Sequence, residues 1–141
     1  MEIFLDSLPW FIIGYLLASA MDALHTTFNI YVRKIPNTSQ NGMSEAYERT
    51  RKYHPIYNLI LFSYASWLFL RGELYLTAGI ALQTGFIWLV LDALLDMLLG
   101  VVIKHPFAKS WKDYYIGDQP WVTLSYLAVL LAPMLGYVMT R

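Results

Sequence analysis

Four stretches of this chain are nearly free of charge and close to the length that crosses a bilayer. They run from about Pro9 to Phe28, Ile56 to Leu70, Leu74 to Ile103, and Trp121 to Met139. Inside lipid no water is present to satisfy backbone N–H and C=O groups, so about 20 consecutive apolar residues must form a helix. The blocks predict an all-α membrane protein, a four-transmembrane-helix bundle, with residues 1–141 as one integral membrane domain. Composition agrees: the chain is 57% hydrophobic and 14% charged, whereas a soluble domain carries about 25% charge.

The remaining composition excludes more than it assigns. A formal net charge of zero gives no reason to expect nucleic acid, and the absence of cysteine rules out disulfides, thiol catalysis and cysteine metal sites. The first residues include Glu2 and Asp6 rather than a basic segment, so no cleavable signal peptide is expected. No HExxH, GxxxxGK[ST] or GxSxG motif is present, and no residue is assigned a catalytic role.

Pro9 and Pro120 stand where first turns are expected, and Pro133 interrupts the last block. The short "RGE" sequence, Arg71 to Glu73, predicts a tight turn that folds the second and third helices into an antiparallel hairpin. Residues 29–55 read as a basic loop with one short surface helix, N-capped by Ser44 and carrying Glu45/Arg49 and Glu48/Lys52 at i,i+4. Residues 104–120 read as a second such loop, in which Asp118 is placed to N-cap the last helix.

Basic residues set the orientation. Arg33, Lys34, Arg49, Arg51 and Lys52 fall in the first loop, and Lys104, Lys109 and Lys112 in the third. The positive-inside rule places both loops in the cytoplasm and both termini on the non-cytoplasmic side. The expected location is a cytoplasmic, or inner, membrane of the prokaryotic type.

With that topology the polar residues gather on one side. Asp22 and His25 fall near the inner end of the first helix, Asp92 and Asp96 in the inner half of the third, and His54 and His105 in His-Pro pairs at the inner boundary. Gly14, Ala18 and Asp22 share a face, as do Gly85, Leu89, Asp92, Asp96 and Gly100. Small residues let helices approach closely in lipid, so both faces are expected to be packed. Gln83 is expected to hydrogen-bond between helices. "MDAL" at Met21 and "LDAL" at Leu91 lie half a chain apart, which a tandem repeat of two-helix units would produce.

An ionised aspartate at mid-membrane costs roughly 3 kcal/mol on insertion scales, so such residues usually serve a function. Asp22, His25, Asp92 and Asp96 therefore form the candidate intramembrane site, and with His54 they are candidate ligands for a divalent metal ion. The leading reading is cation or proton binding or translocation. The alternatives are an accessory or assembly subunit of a larger membrane complex, or a membrane-embedded, metal-dependent enzyme acting on a lipid or lipid-linked substrate. Arg33, Lys34, Arg49, Arg51, Lys52, Lys104 and Lys109 are candidates for contacting lipid head groups or a phosphate. Expected partners are membrane lipids, with a second copy of the chain or a membrane-complex partner also fitting so small a bundle.

Overall fold

The computed structural model describes residues 3–37, 44–73, 76–103 and 110–141, and among these it contains helices and no strands. Helix α1 spans Ile3–Tyr31, α2 Glu45–Thr50, α3 His54–Leu70, α4 Ala78–Met97 and α5 Trp121–Met139. A 3-10 turn, Arg51–Tyr53, joins α2 to α3. The segments Leu98–Val102, continuing α4, and Asp113–Gly117, ahead of α5, are π-helical turns.

Among the described residues three segments are long and apolar enough to cross a membrane: α1, α4 with its π turn (Ala78–Val102), and α5. Their outer faces carry large apolar side chains such as Leu16, Leu24, Phe86, Val90, Leu131 and Val138 in exposed positions. In water so much exposed apolar surface would drive aggregation, whereas lipid solvates it. Helix α3, with 17 residues, is about 25 Å long at 1.5 Å per residue. It is also the most enclosed helix, packing against both α5 and α1.

The packing defines a ring. Helix α1 lies on α3, α3 on α5, α5 on α4, and α4 makes a lighter contact with α1. The expected α3–α4 hairpin is thereby corrected: the Arg71–Thr77 link joins helices at opposite corners, and α1 and α5 flank them on either side. Each half of the chain is instead a packed pair whose first helix holds a buried aspartate, Asp22 on α1 with α3 and Asp92 on α4 with α5.

Side chains in the centre reach across the ring. Phe11, Phe62 and Trp88 meet with ring centroids 5.7–6.1 Å apart, and Ala18, Ala65, Val129 and Ala132 fill the space around them. Because lipid is as apolar as this core, shape and close contact rather than water exclusion hold it together. Two glycines make the contact possible. A Cβ on Gly85 would lie 2.2 Å from the Leu130 carbonyl oxygen, and one on Gly136 2.1 Å from Ser66 Oγ and 2.8 Å from the Trp67 nitrogen.

Several boundaries differ from the sequence expectation for local reasons. Helix α1 begins well before Pro9, which lies inside it. Helix α4 starts at Ala78, because the Thr77 hydroxyl caps the Ile80 N–H at 3.2 Å. Helix α3 begins at His54, with Pro55 in its first turn, where the missing proline N–H costs nothing. Gln83 is exposed on the outside of the bundle and does not join helices.

Candidate functional site

The polar residues converge where the C-terminal part of α1, the start of α3, the end of α4 and the start of α5 meet. The buried stripe of α1 is Ser7, Phe11, Gly14, Ala18, Asp22 and Asn29, a near-heptad spacing that carries Asp22 into the bundle. Its Oδ2 accepts a hydrogen bond from Nδ1 of His54, and the two residues also form an ion pair when the imidazole is protonated. On α4 the stripe Ala81, Thr84, Gly85, Trp88 and Asp92 is buried, with Asp92 only 3% exposed. Asp96, one turn further, is half-buried. Both carboxylates lie within electrostatic reach of the His54 imidazole.

The π turns complete the site. Gly100 leaves room for the Tyr114 ring, since a Cβ there would sit 3.1 Å from its Cε2. Tyr114 then places its hydroxyl to donate to the Asp96 carboxylate, and Tyr126 of α5 stands beside the same group. Burial and the nearby Asp96 charge hold the Tyr114 phenol well above its ordinary range, so it remains a neutral donor.

Helix α2 is more than a solvated surface helix. The Ser44 hydroxyl caps it by accepting the Tyr47 N–H at 3.2 Å, and Glu45 pairs with Arg49 at 3.1 Å, both as expected. Glu48, however, meets Arg51 at 3.8 Å rather than Lys52. Its inner face, Ala46 and Thr50, is fully buried against α1. Asn29 donates to the Ala46 carbonyl (3.2 Å) and to Thr50 Oγ1 (3.1 Å), and Thr26 donates to Thr50 Oγ1 (3.0 Å). The docked helix aims Tyr47 and Arg51 inward, and burial raises the Tyr47 phenol as well.

Arg51 forms an ion pair with Asp118, just before α5. The expectation that the Asp118 side chain caps α5 is therefore corrected. Its backbone carbonyl accepts the Trp121 N–H (3.0 Å) instead, while its carboxylate turns to Arg51. Arg51 is likewise drawn away from the head-group role, whereas Arg33, Lys34, Arg49 and Lys52 are exposed. Lys104, His105 and Lys109 lie outside the described residues.

His25 does not join the cluster by hydrogen bond. Its Nδ1 meets the Tyr57 hydroxyl at 2.6 Å, and its ring packs on Tyr53 at 4.9 Å. Among the described residues no three His, Asp or Glu side chains converge closely enough to hold a metal ion. Asp22, His25, His54, Asp92 and Asp96 thus share a region without gathering around one point.

Beside them lies a cavity of about 630 Å³, whose lining does not include His25 or Asp92. Asp22, His54, Asp96 and Tyr114 line it together with Tyr47, Arg51 and Asp118 from the α2 side, and Ala23, Ile30, Trp121 and Val122 add apolar wall. Neither Tyr47 nor Tyr114 is named as a site residue from sequence alone. The available signal was Gly100, at the end of an apolar block, followed by the "DYY" run at Asp113–Tyr115.

The fold and site together define a helical membrane protein with a carboxylate–imidazole cavity at one end of its bundle. Comparison with protein-family models, curated proteins and solved structures finds no match to this chain.

Proposed function

We propose that this protein binds protons or a cation at the Asp22–His54–Asp92–Asp96 cluster, in a bundle that crosses the membrane four times with both termini outside. One observation carries the reading. Among the described residues three carboxylates, two of them buried, share a single imidazole, because His25 is engaged by Tyr57. A protonated His54 balances one carboxylate. The remaining negative charge in a low-dielectric setting calls for a proton or a bound cation. The cavity offers the way in. Below the cluster, Phe11, Phe62 and Trp88 fill the bundle axis. A single copy therefore favours binding from one side, and translocation calls for a second copy or another membrane protein.

Membrane vibrational spectroscopy on the protein in lipid nanodiscs tests this. The carbonyl stretch of a protonated carboxyl is expected in the wild type, lost in Asp92→Asn or Asp96→Asn, and diminished as pH or cation concentration rises. Absence of that band in the wild type at every pH, with no response to sodium, potassium or magnesium, rejects the reading.

A second reading rests on the dyad itself. With Nδ1 held by Asp22, the His54 imidazole keeps Nε2 as its proton-transfer atom beside a cavity large enough for a substrate. That is the arrangement of a general base acting on an amphipathic, lipid-like substrate. Turnover of a lipid ester by the purified chain, abolished in His54→Asn, separates it from pure binding.

A further inference from the structure

The cavity is far larger than a proton or a bare ion needs. Its volume of about 630 Å³ falls within the roughly 300–1,000 Å³ typical of small-molecule sites. An inorganic ion at Asp22 or Asp96 leaves the wall of Ile30, Trp121 and Val122 facing nothing. The lining thus offers both charged and apolar side chains, and a ligand matched to both must be amphipathic.

Charge decides the sign of the head. Among the described residues the lining holds three carboxylates, Asp22, Asp96 and Asp118, beside one guanidinium, Arg51, and one imidazole, His54. Arg51 is paired with Asp118 and approached by Glu48, which offsets its charge, although its Nε keeps an unpartnered N–H. An anionic head would be repelled at the floor, whereas a cationic one finds acceptors. Asp22 is only 7% exposed, and its Oδ1 has no hydrogen-bond partner, although Oδ2 is satisfied by His54. A buried carboxylate oxygen left without a donor is costly, and a ligand N–H relieves that cost. Tyr15, Tyr47 and Trp121 present ring surfaces in the same lining, which favours an organic ammonium over a hydrated metal.

We infer that the cavity takes an amphipathic organic cation, an alkyl- or arylalkyl-ammonium, with its head between Asp22 and Asp96 and its apolar body against Ile30, Trp121 and Val122. The inference rests on the carboxylate surplus proposed above and adds the class of ligand that neutralises it.

The test uses the full chain in lipid nanodiscs, with empty nanodiscs subtracted. Tritiated 4-phenylbutylammonium is the probe, and unlabelled 4-phenylbutanol and 4-phenylbutyrate are competitors of the same length and ring. The ammonium is expected to bind saturably and to compete at least about tenfold better than the alcohol, as a charge-assisted contact predicts, with the carboxylate weaker still. Asp96→Asn, shown folded by its gel-filtration profile and circular dichroism, is expected to erase the preference. Equal competition by alcohol and ammonium overturns the inference in favour of a neutral lipid site, and so does binding no greater than in empty nanodiscs. The carboxyl vibration is recorded on the same preparation before the probe is added. If it is present while the ammonium preference is absent, only the ligand class fails. If it is absent at every pH and unresponsive to sodium, potassium or magnesium, the underlying proton or cation reading fails with it.

Discussion

His54 donates through Nδ1 to the Asp22 carboxylate and so ties the head of α3 to the C-terminal part of α1, across 32 residues of sequence. The bond does two jobs. It fixes the ring orientation of an imidazole near three carboxylates, and it links two helices where α2 is also docked. Hydrogen bonds between membrane helices measured by double-mutant cycles are worth about 0.6 kcal/mol on average and at most about 2 kcal/mol, since the unfolded chain in lipid also finds partners. A cycle through Asp22→Asn and His54→Gln, read by unfolding in mixed micelles, is expected to give a coupling energy of about 1 to 2 kcal/mol. A coupling near zero would mean that the pair orients the imidazole without holding the helices.

The two close helix contacts predict a graded glycine series. At Gly85 the neighbour is a backbone carbonyl, which cannot turn aside, and at Gly136 a backbone nitrogen stands behind the serine hydroxyl. Ala at either position is expected to cost about 1 to 3 kcal/mol, the range for overpacking. At Gly14 the obstacle is the Phe62 ring, 2.8 Å from the added Cβ and able to shift, so a smaller loss is expected. Gly117 has nothing within 4 Å and serves as the control. Unfolding followed by tryptophan fluorescence reports the order.

Apolar block length revealed the long helices, and small-residue spacing revealed the packed faces. Gly14, Ala18 and Asp22 do share a buried stripe, and so do Gly85 and Asp92. Helix pairing was hidden because a short link fixes where a helix begins, not which neighbours it meets. Packing volume decides that, and here the backbone approaches at Gly85 and Gly136 place α5 between α3 and α4. The Arg51–Asp118 pair was equally hidden. Each residue sits in a polar segment whose local sequence satisfies a simpler rule, a surface charge for one and a helix cap for the other.

That ion pair leads to a prediction about motion. Arg51 connects the α2 end to the segment before α5, and Asn29 and Thr26 hold α2 from the other side. Removing the guanidinium leaves the α1 contacts to keep α2 beside the cavity. In Arg51→Gln, amide hydrogen exchange across residues 44–53 is expected to accelerate several-fold, while residues 56–70 of α3 stay protected. Asp118→Asn should reproduce the effect. Unchanged exchange in both variants would show that the contacts to Asn29 and Thr26 suffice.

Tyr47 and Tyr114 give a pH signature. Burial raises both phenols above their ordinary value, with the Asp96 charge adding to the effect at Tyr114. A group whose folded-state pKa is raised keeps its proton longer when folded than when unfolded. Its stabilising contribution is complete below about pH 10, the ordinary tyrosine value, and falls as pH rises beyond it. Thermal stability is therefore expected to drop above about pH 10, and the drop should be shallower in Tyr47→Phe and Tyr114→Phe. An identical slope in wild type and both variants would place the alkaline loss elsewhere.

The position of α3 in the membrane is the sharpest structural question, because 17 residues reach only about 25 Å against a hydrocarbon core of about 30 Å. Two features compensate. The 3-10 turn Arg51–Tyr53 extends the helix axis at one end, and Arg71 at the other stacks over the Trp67 ring at 4.9 Å, a geometry that lets a long cation reach the interface. If α3 spans, the exposed Lys52 and Arg71 face opposite sides of the bilayer. The chain has no cysteine, so Lys52→Cys and Arg71→Cys each introduce a single labelling site. In sealed right-side-out vesicles a membrane-impermeant maleimide is expected to label Arg71→Cys at once and Lys52→Cys only after permeabilisation. Labelling of both from the same side would make α3 a re-entrant helix held inside three spans and would overturn the four-span topology proposed here.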